Sequence, residues 1–290
     1  MSQGAGKQRA GNEGTARPWE AARVAGNIYL AVAVLIAMLP LLLVAINTFK
    51  PHVAIVANPL SLPTSINFDN FSRAWRGGHF STGIVNSLLL SGSTVLITLA
   101  CASLAAYALA RRQIRGWQAI TIYFLCATTV PIQLFLFPLY FVLAKLGLIG
   151  NFLATATILS AINLPISIFL LRAYVLGIPR EIDDAAFMDG ATPWQTFRHV
   201  ILPLMQPGLI TVAIIVFLNS WNEFLITTTF QKGRGNLTMT LGYLSMNGIY
   251  ATDQGAMMAG AFILVAPIIV FVLILQRFFI AGMSAGAVKG

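Results

Sequence analysis

Charge is what this sequence has least of. Only 9% of its 290 residues are Asp, Glu, Lys or Arg, against about 25% in soluble domains, whose surfaces must meet water. So thin a charged coat excludes a soluble globular enzyme. The hydrophobic share of 57% and the mean hydropathy of +0.79 agree. Cysteine is nearly absent too. Cys101 and Cys126 both fall inside apolar runs, so they read as small buried hydrophobes and no disulfide framework is expected. His52, His79 and His199 stand alone with no partner at metal-ligand spacing, so no metal site is expected.

Acids number 9 against 18 basic residues, a net charge of +9. No basic patch with interleaved aromatics accompanies that excess, which argues against nucleic acid as a partner. Gly6-Lys7 is the nearest approach to a P-loop, but Met1 stands where the first glycine belongs and Gln8 replaces Ser/Thr. No strand precedes it either, so this chain is not expected to bind a nucleotide or any cofactor itself. No acid–base pair or nucleophile constellation is visible, which disfavours a polytopic membrane enzyme. An ion-coupled carrier or channel would need ionisable or carbonyl-lined sites within its spans. Glu223 is the only acid placed inside one.

What the chain does have is apolar length. The first run, Ile28 to Ile46, is broken only by Pro40 and covers about 29 Å as a helix, one hydrocarbon thickness. It is longer than a signal peptide's apolar region, and no A-x-A site follows it. Further spans read at 83–109, 117–143, 151–176, 204–229 and 259–281. Backbone groups in lipid must bond internally, so these runs are helices and the fold class is all-α. The expected organisation is a disordered tail at 1–26, a six-span membrane domain at 27–281 and a short tail at 282–290.

Six spans put both termini on one side. That side carries Lys7, Arg9, Arg17, Arg23, Arg111, Arg112, Arg115, Arg172, Arg180, Arg198, Arg277 and Lys289. The other holds Lys50, Arg73, Arg76, Lys145, Lys232 and Arg234, half as many. The positive-inside rule then puts both termini in the cytoplasm. Pro131, Pro138, Pro165 and Pro267 predict kinks within spans, and Ala102, Ala106 and Ala110 predict close helix packing within the chain.

Four of the nine acids crowd between Glu181 and Asp189, in the connection at 177–203. Pro179 and three following acids suit the start of a helix, and Gly190 suits its left-handed end. Thr192-Pro193 reads as the cap and first position of a second helix, with Trp194, Phe197 and Ile201 at helical spacing and Pro203 ending it. Ala185 and Ala186 leave room for another surface to approach. The residues alone leave two readings open: docking to a partner, or lying on the lipid interface.

Asp184-Ala185-Ala186, then Gly190 six residues after Asp184, then Val200-Ile201-Leu202-Pro203, resembles the EAA loop of binding-protein-dependent ABC importer permeases. That pattern reads EAA, three residues, Gly, nine residues, I-x-L-P. Asp184 stands for Glu and Val200 for Ile. Trp221 to Leu225, the segment from Leu62-Pro63 to Asn70-Phe71, and the tail from Gln276 to Gly290 are similar to the carbohydrate branch, the maltose-type permease subunits. The resemblance implies that Asp184, Ala185, Ala186, Asp189, Gly190, Leu202 and Pro203 form a coupling loop seated on a separate cytoplasmic ATPase, which holds ATP and Mg. It further implies a second permease subunit as heterodimer partner, two ATPase subunits, an extracytoplasmic solute-binding protein and residence in a bacterial inner membrane. Import of a sugar by alternating access is the implied function. A non-sugar solute such as glycerol phosphate or a polyamine is the runner-up.

Glu223 carries its own argument. It lies about six residues from the outer end of its span, where an acid costs less than the roughly 2.5–3.5 kcal/mol that insertion scales give a helix centre, and something polar should still face it. Asn219, Glu223 and Thr227 repeat every fourth residue with Asn222 beside them. One polar stripe on one helix is therefore expected, lining a translocation pathway or gate, with Trp221 able to stack on a sugar face. Interhelical hydrogen bonding is the competing role. The segment at 230–258, with Lys232, Arg234, Met239 and Tyr243, resembles the region that meets the binding protein, a plain connecting loop being the competing reading. Asn70-Phe71-Ser72 and Asn236-Leu237-Thr238 match the glycosylation sequon, a pattern too short to weigh.

Overall fold

A computed structural model describes residues 18–249 and 253–287, without the side chains of 18–21, 234, 248–249 and 276–287. The described residues form helices and no strand. In chain order these are α1 (Pro18–Asn47), α2 (His52–Ala57), α3 (Asp69–Gly77), α4 (Phe80–Ala110), α5 (Trp117–Thr129), α6 (Leu136–Lys145) and α7 (Phe152–Gly177). Then follow α8 (Glu181–Met188), α9 (Pro193–Thr196), α10 (Leu202–Leu204), α11 (Gln206–Trp221), α12 (Leu225–Phe230), α13 (Met239–Ile249) and α14 (Gln254–Ala287). A π-helical turn, Phe197–Ile201, joins α9 to α10.

Among the described residues, four helices are long and apolar enough to cross a membrane: within α1, α4, α7 and α14. Two bent pairs make six if each is one span. The expected third span breaks after Val130, where Pro131 cannot donate an amide, and its halves meet at 90°. The expected fifth span departs further. Its beginning joins the 177–203 connection at a 74° bend near Met205, and its end is interrupted at Asn222–Phe224. The helix α1 starts at Pro18, inside the region expected to be a disordered tail, and α14 runs to Ala287, past the expected end of its span. The remaining tail residues, 1–17 and 288–290, lie outside the described residues.

The centre of the fold is α4 packed along α7, with α11 against both and α14 against α11. Ala102, Ala106 and Ala110 are all within 1% of full burial, in one cluster with Ile168, Leu171 and Val175 of α7. Small side chains let the two backbones approach, and dispersion between closely packed helices replaces the hydrophobic drive that lipid cannot supply. Gly208 does the same for α11, since a Cβ there would lie 2.6 Å from the Tyr174 ring. Pro165 removes one amide from α7's ladder, and, two residues on, Ser167 Oγ donates back to the Asn163 carbonyl at 2.7 Å. Cys101 and Cys126 are exposed rather than buried, so they face whatever surrounds this chain.

The two ends of the bundle differ. At the far end, Asn70 is fully buried, and its Nδ2 donates to the carbonyls of Thr48 (2.7 Å) and Lys50 (2.9 Å). Its Oδ1 accepts from Arg73, which pairs with Asp253 at 3.1 Å, so the end of α1, α3 and the start of α14 are tied together. Burial also removes Asn70 from consideration as a glycosylation site. At the opposite end lie Arg111 and the 177–203 connection.

Candidate functional site

The 177–203 connection has the two-helix form expected, with its punctuation shifted slightly. Arg180, not Pro179, is the residue before α8, and Glu181, Asp183 and Asp184 occupy its first turn, where the helix dipole favours acids. Gly190 takes φ +81°, the left-handed conformation that side chains resist. Thr192 and Gln195 form a reciprocal capping box, Thr192 Oγ1 accepting from the Gln195 amide and Gln195 Oε1 from the Thr192 amide, with Pro193 at the first position. Pro203 does not end the second helix. It lies inside the continuous helical stretch Pro193–Leu204, just after the π-helical turn Phe197–Ile201, and the chain turns only at Met205.

Burial divides the loop into two faces. Inward, Phe197 and Ile201 pack on Tyr107 and α7, and Leu202 is half-buried against the same cluster. Outward, Asp184, Ala185, Asp189, Gly190 and Pro203 are exposed and Ala186 is half-buried. Met188 is 87% exposed and Trp194 56%, with Phe187 exposed beside them. None of Glu181, Asp184 or Asp189 forms an ion pair among the described residues. Apolar side chains and unpaired acids held outward on an ordered loop are the composition of an interaction surface.

The acid that sequence reasoning did not separate from its neighbours is Asp183. It is buried, its Oδ2 accepting from Arg111 at 2.6 Å and its Oδ1 from the Tyr107 hydroxyl at 2.8 Å. Arg111 also donates to the carbonyls of Val175 (3.4 Å) and Ile178 (3.2 Å) at the end of α7. The spacing of Tyr107 and Arg111, one helical turn apart and about 70 residues before the loop, carried no signal of its own.

The polar stripe of the fifth span is rearranged by the helix break. Glu223 lies in the interruption, and its carboxylate caps α12: Oε1 and Oε2 accept from the Ile226 amide (2.8 and 3.0 Å) and Oε2 from that of Thr227 (3.0 Å). Asn219 reaches across to α7, its Nδ2 donating to Asn163 Oδ1 at 3.0 Å. Asn222 is exposed, with its Nδ2 on the Leu218 carbonyl at 2.9 Å. These three and Asn163 line one cavity of about 370 Å³ between α7, α11 and α12. Asn163 was legible only as a polar residue near Pro165 in an apolar run.

Trp221 is not part of that cavity. It is 3% exposed, stacked on Phe217 at 5.6 Å and packed with Phe80 and Met239, so its ring cannot meet a sugar there. The helix turns Trp221 away from the face that Asn219 and Asn222 share. Met239 is likewise core, and the segment carrying it is the helix α13 rather than a plain loop. Lys232 is exposed and Tyr243 half-buried, while the Arg234 side chain lies outside the described residues. No group of His, Cys, Asp and Glu suited to a metal exists among the described residues.

Comparison with known proteins agrees with this architecture. Residues 98–285 match the family described as the binding-protein-dependent transport system inner membrane component. The trehalose transport system permease protein SugB of Mycobacterium tuberculosis is 35% identical over 88% of this chain and 93% of its own length. The arabinooligosaccharides transport system permease protein AraQ of Halalkalibacterium halodurans is 33% identical, over 91% and 95% respectively. In three dimensions the chain resembles a bacterial ABC transporter involved in the import of the acidic polysaccharide alginate, with a TM-score of 0.75 at 21% identity, over 91% of this chain and 98% of that one. With its apolar helices and all-α fold, the chain is a multi-pass membrane protein, and it belongs to the binding-protein-dependent inner membrane components, the permease subunits of ABC transporters.

Proposed function

We propose that this permease is the membrane-spanning subunit of an ATP-driven importer for a sugar or oligosaccharide, moving its solute by alternating access. The observation that carries the reading is the outward face of the 177–203 loop, where Met188, Trp194 and Phe187 stand exposed beside the unpaired Asp184 and Asp189. That face suits a groove on a separate ATPase, which holds ATP and Mg. The loop end is then cytoplasmic, as the clustered Arg111, Arg112 and Arg115 favour. A second permease subunit completes the pathway and a solute-binding protein delivers to the opposite face. The cavity of Asn163, Asn219, Asn222 and Glu223 offers donors and acceptors matched to sugar hydroxyls. The names of the relatives, two of which transport oligosaccharides or trehalose, support a carbohydrate as solute.

The test is gentle solubilisation from native membranes, purification through this chain and identification of the subunits that come with it. An ATPase and a second permease are expected with the intact chain, and Asp184→Lys, whose exposed position leaves the fold untouched, should lose the ATPase while keeping the second permease. A chain that purifies alone in several mild detergents, yet moves solute into liposomes without ATP, overturns the reading. The binding protein recovered alongside would be screened against sugars to name the solute.

A further inference from the structure

The exposed face of the loop would transmit nothing unless the loop were fixed to the spans behind it. α8 buries one residue, Asp183, and presents most of its remaining surface outward. Its attachment to the bundle therefore concentrates at one carboxylate. That carboxylate is held on both oxygens, by Arg111, the residue that caps α4, at 2.6 Å and by the hydroxyl of Tyr107, in the last turn of α4, at 2.8 Å. The same guanidinium reaches the carbonyls of Val175 and Ile178, at the end of α7. One arginine thus joins three elements, α4, α7 and α8. Both ionic side chains are 7% exposed, so water does not screen the pair.

An apolar contact of this size would hold the loop but let it slide, because dispersion has no preferred direction. A charge-assisted hydrogen bond has one, and a buried carboxylate pulled from its partner is left uncompensated, a large local penalty. The aromatic ring of Tyr107 adds a second contact, packing on Phe197 of the loop's other helix at 5.4 Å.

We infer that Asp183, Arg111 and Tyr107 are positioning residues that make the 177–203 loop and the adjoining ends of α4 and α7 a single rigid body. A displacement of the loop is then delivered to those helices instead of being absorbed by bending. The inference rests on the coupling reading for its purpose, but the rigidity itself is a property of this chain and is tested on it directly.

The experiment places nitroxide labels at Glu181→Cys on α8 and Leu176→Cys on α7, both exposed and neither on the docking face, in a chain carrying Cys101→Ala and Cys126→Ala. A second pair, Leu89→Cys and Ile166→Cys, monitors α4 against α7 away from the loop. Distance distributions are measured on the full chain in nanodiscs, alone and with its co-purified subunits under ATP and vanadate. With Asp183 present, the loop pair gives one narrow distance that ATP and vanadate leave in place. Asp183→Asn broadens the loop pair by at least about twofold through local opening and leaves the second pair narrow. A general loss of structure would broaden both. If Asp183→Asn does not accumulate, Tyr107→Phe, which removes one hydroxyl, broadens the loop pair in the same sense. An unchanged loop-pair width in the variant that folds, or a loop distance that shifts in the intact chain, overturns the inference. Absence of an ATPase from the purified complex would instead count against the coupling reading, and leave the label result standing by itself.

Discussion

Glu223 caps the helix that begins two residues beyond it, its carboxylate accepting from the amide of Ile226 through both oxygens and from that of Thr227. An acid expected to need a polar partner near the outer end of its span sits at a helix break, where it satisfies backbone donors that lipid would leave bare. The interhelical hydrogen bond considered for it is made instead by Asn219, to Asn163, while Glu223 bonds within its own segment and borders the polar cavity. Glu223→Ala should lower stability by about 0.5–2 kcal/mol, the usual loss of a cap. Glu223→Gln keeps an acceptor oxygen and should lose less. Thermal unfolding of the purified chain in detergent measures both, and equal midpoints for Ala and wild type would remove the capping role.

Gly190 is expected to resist substitution through its backbone alone. At φ +81° it has open space where a Cβ would go, so no clash arises. Adopting that conformation costs an ordinary L-residue about 1–2 kcal/mol, while Asn visits it more readily. Gly190→Val should release the turn between α8 and α9 and reduce co-purification of the ATPase, with Gly190→Asn retaining most of it. A Val chain that retains as much ATPase as wild type would show that the turn does not position the docking face.

Asn70 predicts a stability effect far from the coupling loop. Alanine there strands the buried carbonyls of Thr48 and Lys50 and takes an acceptor from Arg73. The expected loss is about 2–3 kcal/mol, read as a lowered unfolding midpoint. Docking of the ATPase at the other end should be unaffected. A midpoint within error of wild type would mean water replaces the lost donor.

Trp221 separates packing from solute recognition. Its indole is buried against Phe217 and Phe80, and its Nε1 has no hydrogen-bond partner. Phe in its place should leave the concentration dependence of uptake unchanged, because no part of the ring borders the polar cavity. Asn219→Ala opens the bond to Asn163 within that cavity and should shift it. A weakened apparent affinity in Trp221→Phe, with Asn219→Ala silent, would put the solute on the other side of α11.

The loop was the most legible feature. Its acids, Gly190, Thr192-Pro193 and the apolar Phe197 and Ile201 are local signals, each acting within a turn of its own position, and the structure keeps nearly all of them. Pro203 was misread because residue type alone does not show where the chain turns: the helical stretch from Pro193 continues through it and bends only after Leu204. The fifth span was misread for a related reason. Hydropathy continues smoothly through 204–229, but the path of the chain does not, because a capping carboxylate at Glu223 makes a break affordable in the middle of an apolar run.

Low charge and long apolar runs determined by themselves that this chain is helical and lives in a membrane, since continuous apolar runs of about 20 residues satisfy their backbone in lipid as helices. The order of residues also marked the loop, through turn chemistry that reaches only a few positions. Tertiary structure alone decided which acid in the cluster is buried, joining Asp183 to Tyr107 and Arg111 from another span. It decided as well that Asn163 and Asn219 meet while Trp221 turns inward. Those outcomes depend on how α4, α7 and α11 dock, and no spacing along one helix records the face of the next.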